Sequence, residues 1–378
     1  MSAAIYIHIP FCIKKCNYCD FSSIVFNEPV KDRYLKALMR EIEMASFAGK
    51  VETVYIGGGT PSLLTPSEVE KIINKLEQKF HLLHGAEVTL EVNPGTIDLP
   101  KIRELRNTGI NRLSIGIQSM NPMELRFLGR VHDETDSQNA LKWISRYFDN
   151  FSVDIMYGIP GQDLEGLRDN LKQVLGYNPP HISAYELSVE KGTPLSCMLA
   201  EGKITLSTDD DKIAMYELIA DLLKAKGYLH YEISNYSRKD YYCKHNMNYW
   251  MRGEYLGFGA SAHALIRETR LRNTPDITDY IRLMEEEGRA VVEETALTDL
   301  DRVNEEVFLR LRTDRGINTD TISAAPELFH LLEQEGLILK KNGWIRLTEK
   351  GMLLSNRVIV EILDSIEKTT DISTQNRR

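Results

Sequence analysis

The sequence predicts an α/β protein: a partial (β/α)6 TIM-like barrel followed by a small winged-helix-like α+β module. Three observations predict it. Six short apolar runs alternate with segments of helical periodicity over the first two-thirds of the chain, the pattern of βαβ units, a parallel sheet and right-handed crossovers. Polar residues and glycines collect where those runs end, and barrels build their sites at that face. Near the C-terminus, Asn342-Gly343 separates two more apolar runs, a type I′ hairpin signal set among helical patterns. Six units fit a partial barrel better than a doubly wound sheet.

Ile5–Ile9 reads as the first strand. Tyr34, Leu35, Leu38, Met39 and Ile42 then fall at helical spacing, and Gly49 can stop that helix. Val51–Ile56 is the second strand, and its helix opens at Thr65-Pro66-Ser67-Glu68, a capping box with proline at the first helical position. Glu87–Val92 is the third, followed by a helix that Asp98 caps and Gly109 ends. Arg112–Ile117 and Phe151–Met156 are the fourth and fifth. A helix bearing Leu164, Leu167, Leu171, Val174 and Leu175 follows, closed by Gly176, and His181–Leu187 is the sixth strand. A long helix is expected over 208–226, with Gly227 ending it. The barrel is expected to occupy residues 1–265, a connecting segment 266–297, and the C-terminal module 298–378. In that module the order reads helix, helix, hairpin (Leu337–Lys341 and Trp344–Leu347), helix (Gly351–Ile366), with a polar, frayed tail over 368–378.

With 378 residues, 42% of them apolar and 27% charged, the chain has the composition of a globular protein with a sizeable core. Its net charge of −9 argues against coating nucleic acid, which takes clustered Lys and Arg; the C-terminal module is not unusually basic, so DNA binding is not expected there. No apolar run approaches the roughly 18 residues of a membrane span. Met1 to Pro10 carries neither early basic residues nor a signal-length apolar segment, and a cytoplasmic location is expected.

Of the five cysteines, Cys12, Cys16 and Cys19 form a C-x3-C-x2-C motif just after the first strand. Structural zinc wants four closed ligands. Three thiolates suit a [4Fe–4S] cube in which one iron stays open for a chelating small molecule, whereas four-cysteine clusters are closed and usually transfer electrons. The competing reading is a zinc site completed by His8 or Asp20, or three buried thiols. The motif matches the signature of the radical-SAM superfamily. The run Tyr6-Ile-His8-Ile-Pro10-Phe11-Cys12 resembles, more narrowly, the branch of that superfamily containing oxygen-independent coproporphyrinogen III dehydrogenase and a heme chaperone. The resemblance covers nearly the whole chain. It implies a barrel of the radical-SAM type and S-adenosylmethionine (SAM) on the open iron. It also implies one-electron cleavage of the bound sulfonium to methionine and a 5′-deoxyadenosyl radical.

Gly57-Gly58-Gly59-Thr60-Pro61 follows the second strand. Glycines let backbone approach a ligand and expose N–H donors, and no Gly-Lys-Ser/Thr follows to make a P-loop. By the resemblance, Gly58, Gly59 and Thr60 contact the methionyl group of SAM, and Tyr6 packs beside it. Glu91 and Gln118 then supply polar contacts, Arg130 reaches the carboxylate, and Asp154 reaches the ribose. Each of these taken alone reads equally well as a polar strand end that caps backbone groups; together, on successive strands, they favour a SAM site.

Two departures bear on the branch. The dehydrogenase pattern has a further Cys two residues beyond the third cluster ligand, where this chain has Phe21, and it carries an extension ahead of the first strand, where only four residues precede Ile5. Cys243-Lys-His245-Asn246-Met-Asn-Tyr249-Trp250 matches the His-Asn-x-x-Tyr-Trp motif of the heme chaperones. Physically, His245 can ligate heme iron while Tyr249 and Trp250 offer flat apolar faces to a macrocycle. Cys243 and His263 are alternative ligands. The bland alternative is that His245 and Asn246 satisfy a turn while Tyr249 and Trp250 are core. The resemblance thus implies heme as a third cofactor and a heme-accepting partner such as a membrane respiratory protein; the alternative is a radical-SAM oxidoreductase of the dehydrogenase type.

Overall fold

The computed structural model describes residues 2–322 and 326–375, with side chains through Lys368. Six parallel strands lie side by side in chain order: β1 (Ser2–Ile9), β2 (Lys50–Gly58), β3 (His81–Val92), β4 (Arg112–Gln118), β5 (Phe151–Tyr157) and β6 (His181–Glu186). Sequential order with every neighbour parallel is the arrangement of a (β/α)6 partial barrel, and it requires a crossover helix after each strand.

The strands obey a strict period of two. Ile5, Ile7 and Ile9, Val54 and Ile56, Leu90 and Val92, Leu113 and Ile115, and Val153 and Ile155 are buried in one continuous apolar core. The alternate set is polar: Tyr55, Glu91, Arg112, Ser114, Asp154, His181 and Ser183 line a shared cavity. One face of the sheet therefore packs under helices, and the other is a polar lumen.

The helices follow their sequence signals. α1 (Glu28–Met44) is capped by Asn27, α2 (Pro66–Lys79) by the Thr65–Glu68 capping box, and α3 (Leu99–Asn107) by Asp98. Two helices, α4 (Pro122–Leu128) and α5 (Glu134–Tyr147), share the connection to β5, and α4 stops at Gly129 in the left-handed conformation (φ 72°). Next come α6 (Leu164–Leu175), the short α7 (Pro194–Ala200) and α8 (Asp209–Ala225).

Beyond β6 the sheet grows at both ends. β7 (Leu229–Glu232) and β8 (Asn235–Ser237) add antiparallel strands beside β6. After α9 (Lys244–Trp250), strand β9 (Glu254–Phe258) pairs parallel to the free side of β1, with Ile5 opposite Leu256. Three more strands follow: β10 (His263–Ile266), β11 (Thr269–Asn273) and β12 (Val291–Ala296). The full order is β12-β11-β10-β9-β1-β2-β3-β4-β5-β6-β8-β7. Residues 266–297, expected as a connecting segment, thus carry two strands and the helix α10 (Ile277–Glu286), whose Tyr280, Ile281 and Met284 bury against the main core. The short strands and charged stretches of this span mask that role in the sequence.

The C-terminal module has its own core, centred on Val307, Ile345, Val358 and Ile362. It comprises α11 (Asp299–Arg310), β13 (Ile317–Asn318), α12 (Pro326–Gln334), β14 (Ile338–Lys341) and β15 (Trp344–Leu347). Asn342 and Gly343 both take positive φ (51° and 77°), as a type I′ turn requires. The expected final helix is broken at Leu354 into α13 (Glu349–Leu353) and α14 (Ser355–Gln375). Thr348 caps the first piece and packs it under the hairpin, where a Cβ on Gly351 would lie 1.9 Å from the Leu337 carbonyl oxygen. Of the expected frayed tail, 376–378 lie outside the described residues. The module docks through Ile233 N–H to the Arg312 carbonyl (3.1 Å) and Arg252 to Glu305 (2.8 Å). No helix among the described residues is long and apolar enough to cross a membrane.

Candidate functional site

The loop after β1 carries Cys12, Cys16 and Cys19 to the mouth of the lumen, where all three partly exposed sulfurs line a cavity of about 560 Å3. No disulfide joins them. The loop is pinned from several sides. Asn17 N–H donates to the Leu128 carbonyl (3.0 Å) and its Nδ2 to the Phe127 carbonyl (2.7 Å). Arg130 donates from Nη1 to the Cys16 sulfur (3.4 Å) and from Nη2 to the Gly116 carbonyl (2.8 Å), and Thr60 Oγ1 approaches the Cys12 sulfur (3.5 Å).

The glycine turn sits against this loop because nothing larger fits. A Cβ on Gly59 would lie 2.7 Å from the Phe11 carbonyl oxygen and 3.1 Å from the Cys12 sulfur. Gly58 has φ +116°, and a Cβ there would meet the His8 ring at 2.7 Å, so this position needs glycine for both conformation and space.

Glu91 is the anchor of the lumen wall. It accepts from Tyr55 Oη (2.8 Å) and from Gly58 N–H (3.1 Å). Burial pushes its carboxyl up to about 7, opposed by the Tyr55 hydrogen bond. On β5, Asp154 accepts from Ser114 (3.3 Å) and Ser152 (3.4 Å), and burial pushes it up to about 6. A cation entering the cavity favours the ionised form of both carboxyls. Gln118 ends β4 in a left-handed conformation (φ 67°) and faces the same cavity, as does Asn246.

Cys12, Cys16, Cys19, Gly58, Gly59, Thr60, Glu91, Gln118, Arg130, Asp154 and Asn246 therefore share one cavity. This donor set suits the group the cysteine spacing implies. Three sulfurs from one loop leave an iron-sulfur cube one open position, and the buried Arg130 Nε has no partner among the described residues. The other expected residues part company. Tyr6 and Tyr249 line a second cavity of about 510 Å3, which meets the first at Phe21 and Gly58. Tyr6 Oη hydrogen bonds His8 Nδ1 (2.9 Å) and its ring stacks with Tyr55.

His245 lies between the cavities, fully buried. Its Nδ1 is bonded to Thr53 Oγ1 (2.8 Å) and its Nε2 to Tyr249 Oη (2.9 Å). Burial, with Arg112 nearby, lowers its pKa to about 3. With both nitrogens engaged, this imidazole holds the fold together and has no free lone pair for iron. Cys243 is 1% exposed and its thiol is pushed up to about 12 by burial. Trp250 packs instead under Arg312 of the C-terminal module, with the guanidinium 5.2 Å from its ring centre.

Arg112, Tyr55, Ser114, His181 and Ser183 complete the lumen without having been singled out in the sequence. The signal lies in the strands themselves: Arg112-Leu-Ser114, Ser152-Val-Asp154 and His181-Ile-Ser183 alternate polar and apolar residues, which places the polar set on one face.

A six-stranded parallel partial barrel with a three-cysteine loop at its C-terminal mouth defines a radical SAM protein, and the family model described as the Radical SAM superfamily matches residues 6–174. That superfamily's cofactors are a [4Fe–4S] cluster and SAM. A second model, the HemN C-terminal domain, matches residues 297–354. The chain is 32% identical over 375 residues to the heme chaperone HemW of Bacillus subtilis, covering 96% of this chain and 99% of that one. It is 31% identical over 369 residues to HemW of Lactococcus lactis, covering 95% and 96%. Among solved structures it resembles the coproporphyrinogen III oxidase HemN of Escherichia coli, a radical SAM enzyme, with TM-score 0.83 and 26% identity over 96% of this chain and 89% of that one. The chain belongs to the heme chaperone HemW family.

Proposed function

We propose that this protein is a heme chaperone that holds one heme beside a cluster-bearing barrel and passes it to an acceptor heme protein in the cytoplasm or at the membrane. The observation that carries this reading is end-to-end likeness to relatives named heme chaperone HemW, C-terminal module included. In this reading Cys12, Cys16 and Cys19 hold a [4Fe–4S] cluster. Arg130 and Gln118 meet the carboxylate end of SAM, Glu91 and the Gly58–Thr60 turn its amino group, and Asp154 its ribose. Asn246 reaches into the same cavity. When bound and reduced, cluster and SAM supply one-electron chemistry. The chain's own work is to position them, to exclude water, and to hold Glu91 and Asp154 where ionisation balances the ligand's positive charge.

A second reading is favoured by the complete lumen and by the likeness to HemN: an oxidoreductase acting on a porphyrinogen. One experiment separates the two. Anaerobically reconstituted protein is titrated with heme, mixed with an apo-acceptor, and in parallel supplied with coproporphyrinogen III, SAM and reductant. One heme per chain that moves to the acceptor, without porphyrinogen turnover, supports the chaperone. Turnover without saturable heme binding overturns it. The cluster assignment is checked by iron and sulfide analysis of Cys16→Ala, which should fall well short of four irons per chain.

A further inference from the structure

The second cavity is distinct from the SAM lumen but adjoins it, sharing Phe21 and Gly58 as common wall. Its volume of about 510 Å3 falls in the range of pockets that enclose one sizeable organic molecule. It is lined mainly by apolar surface. Tyr6, Tyr249 and Tyr255 present rings from three different elements, with Tyr249 and Tyr255 edge to face at 4.7 Å, and Leu265 and Leu309 complete the floor. Phe21, 59% exposed, stands at the lip. Flat aromatic walls with a narrow polar fringe suit a planar macrocycle.

Three histidines line the two cavities, and their hydrogen bonds distinguish them. His8 is bonded through Nδ1 to Tyr6 Oη and through Nε2 to the Ser22 carbonyl. His181 is bonded through Nδ1 to Ser152 and through Nε2 to Tyr231 Oη (both 2.7 Å). Only His263, on β10, makes no ring hydrogen bond among the described residues. Both of its ring nitrogens are therefore open, and a neutral imidazole can donate a lone pair to a metal. Arg270 lines the same cavity. Its Nε is paired with Glu305 (2.6 Å) and its Nη1 with Tyr255 Oη (3.1 Å), while Nη2 has no hydrogen bond among the described residues. That leaves one donor for an acidic substituent at the cavity edge.

We infer that this second cavity is the heme seat, with His263 as the axial iron ligand, the three tyrosines and Phe21 enclosing the ring, and Arg270 meeting a propionate. The inference rests on the chaperone reading above and moves the ligand from His245 to His263. It also assigns the heme a chamber whose wall is the cluster loop itself.

The test is an anaerobic heme titration of full-length reconstituted protein followed by absorbance, comparing wild type, His263→Ala and His245→Ala. His263 is exposed at the first residue of β10, so its loss leaves folding intact, and SAM binding reports that directly. The expected result is that His263→Ala weakens heme binding by roughly tenfold or more and shifts the heme spectrum, with added imidazole restoring the wild-type spectrum. His245→Ala should keep the wild-type spectrum in its folded fraction. A His263→Ala protein with unchanged spectrum and affinity, beside wild type that binds one heme, overturns the assigned seat and leaves the chaperone reading standing. Wild type that binds no heme overturns both.

Discussion

Arg130 reaches Cys16 with one guanidinium nitrogen (3.4 Å) and the Gly116 carbonyl with another (2.8 Å), so one buried side chain ties the cysteine loop to the wall of the lumen. A lysine keeps the charge but has no fork to make both contacts. Arg130→Lys should lower SAM affinity by roughly tenfold, the cost of one charge-assisted hydrogen bond. Calorimetric titration of the reconstituted protein checks this; unchanged affinity would remove Arg130 from the SAM site.

Glu91 makes ligand-free stability depend on pH. Burial raises its folded pKa from 4.5 to about 7, so between these values the folded state holds a proton that the unfolded state has lost. The stability it contributes is full below about pH 4.5 and is lost as pH rises through about 7, a loss on the order of 3 kcal/mol. Urea unfolding at pH 5 and pH 8 should show a smaller fall for Glu91→Gln than for wild type. Equal falls would mean that the buried carboxyl is not protonated in the free protein.

Gly58→Ala places a methyl against the His8 ring at a backbone angle that only glycine adopts cheaply. The expected cost is about 2 kcal/mol or more. Because Gly58 N–H also donates to Glu91, SAM binding should fail in whatever protein remains folded. Thermal unfolding and SAM titration together read this out.

His245→Ala strips partners from Thr53 and Tyr249 at once. About 2–4 kcal/mol of stability should be lost, visible as a lower urea midpoint with unchanged slope. A midpoint equal to wild type would show that the interior hydrogen bonds contribute nothing net.

The six barrel strands and most helices were legible because their signals are local. The Thr65 capping box, the Asp98 cap and the Asn342-Gly343 turn each sit within a few residues of what they determine. The cysteine loop and glycine turn were legible for the same reason. What the sequence hid was pairing at long range. Nothing near Glu254 says that its strand will lie beside β1, and nothing in 266–297 says that its strands extend the sheet. The fate of His245 was hidden likewise, since its partner Thr53 comes from a strand almost two hundred residues earlier. The division of Tyr6 and Asn246 between two cavities depends on how β1 and α9 are set against each other, and that arrangement exists only once the sheet is assembled.

The pairing of β1 with β9 also orders events at the ribosome. The cysteine loop hangs from β1 and is made long before β9, so Ile5 gains its partner Leu256 only after the intervening strands and helices have been made. Until then one side of β1 is an open edge, with N–H and C=O groups unpaired, and domains of such long-range topology close late. The cysteines thus wait on an unfinished strand, so stable metal loading belongs after β9 has paired with β1, when the sheet that anchors them is complete.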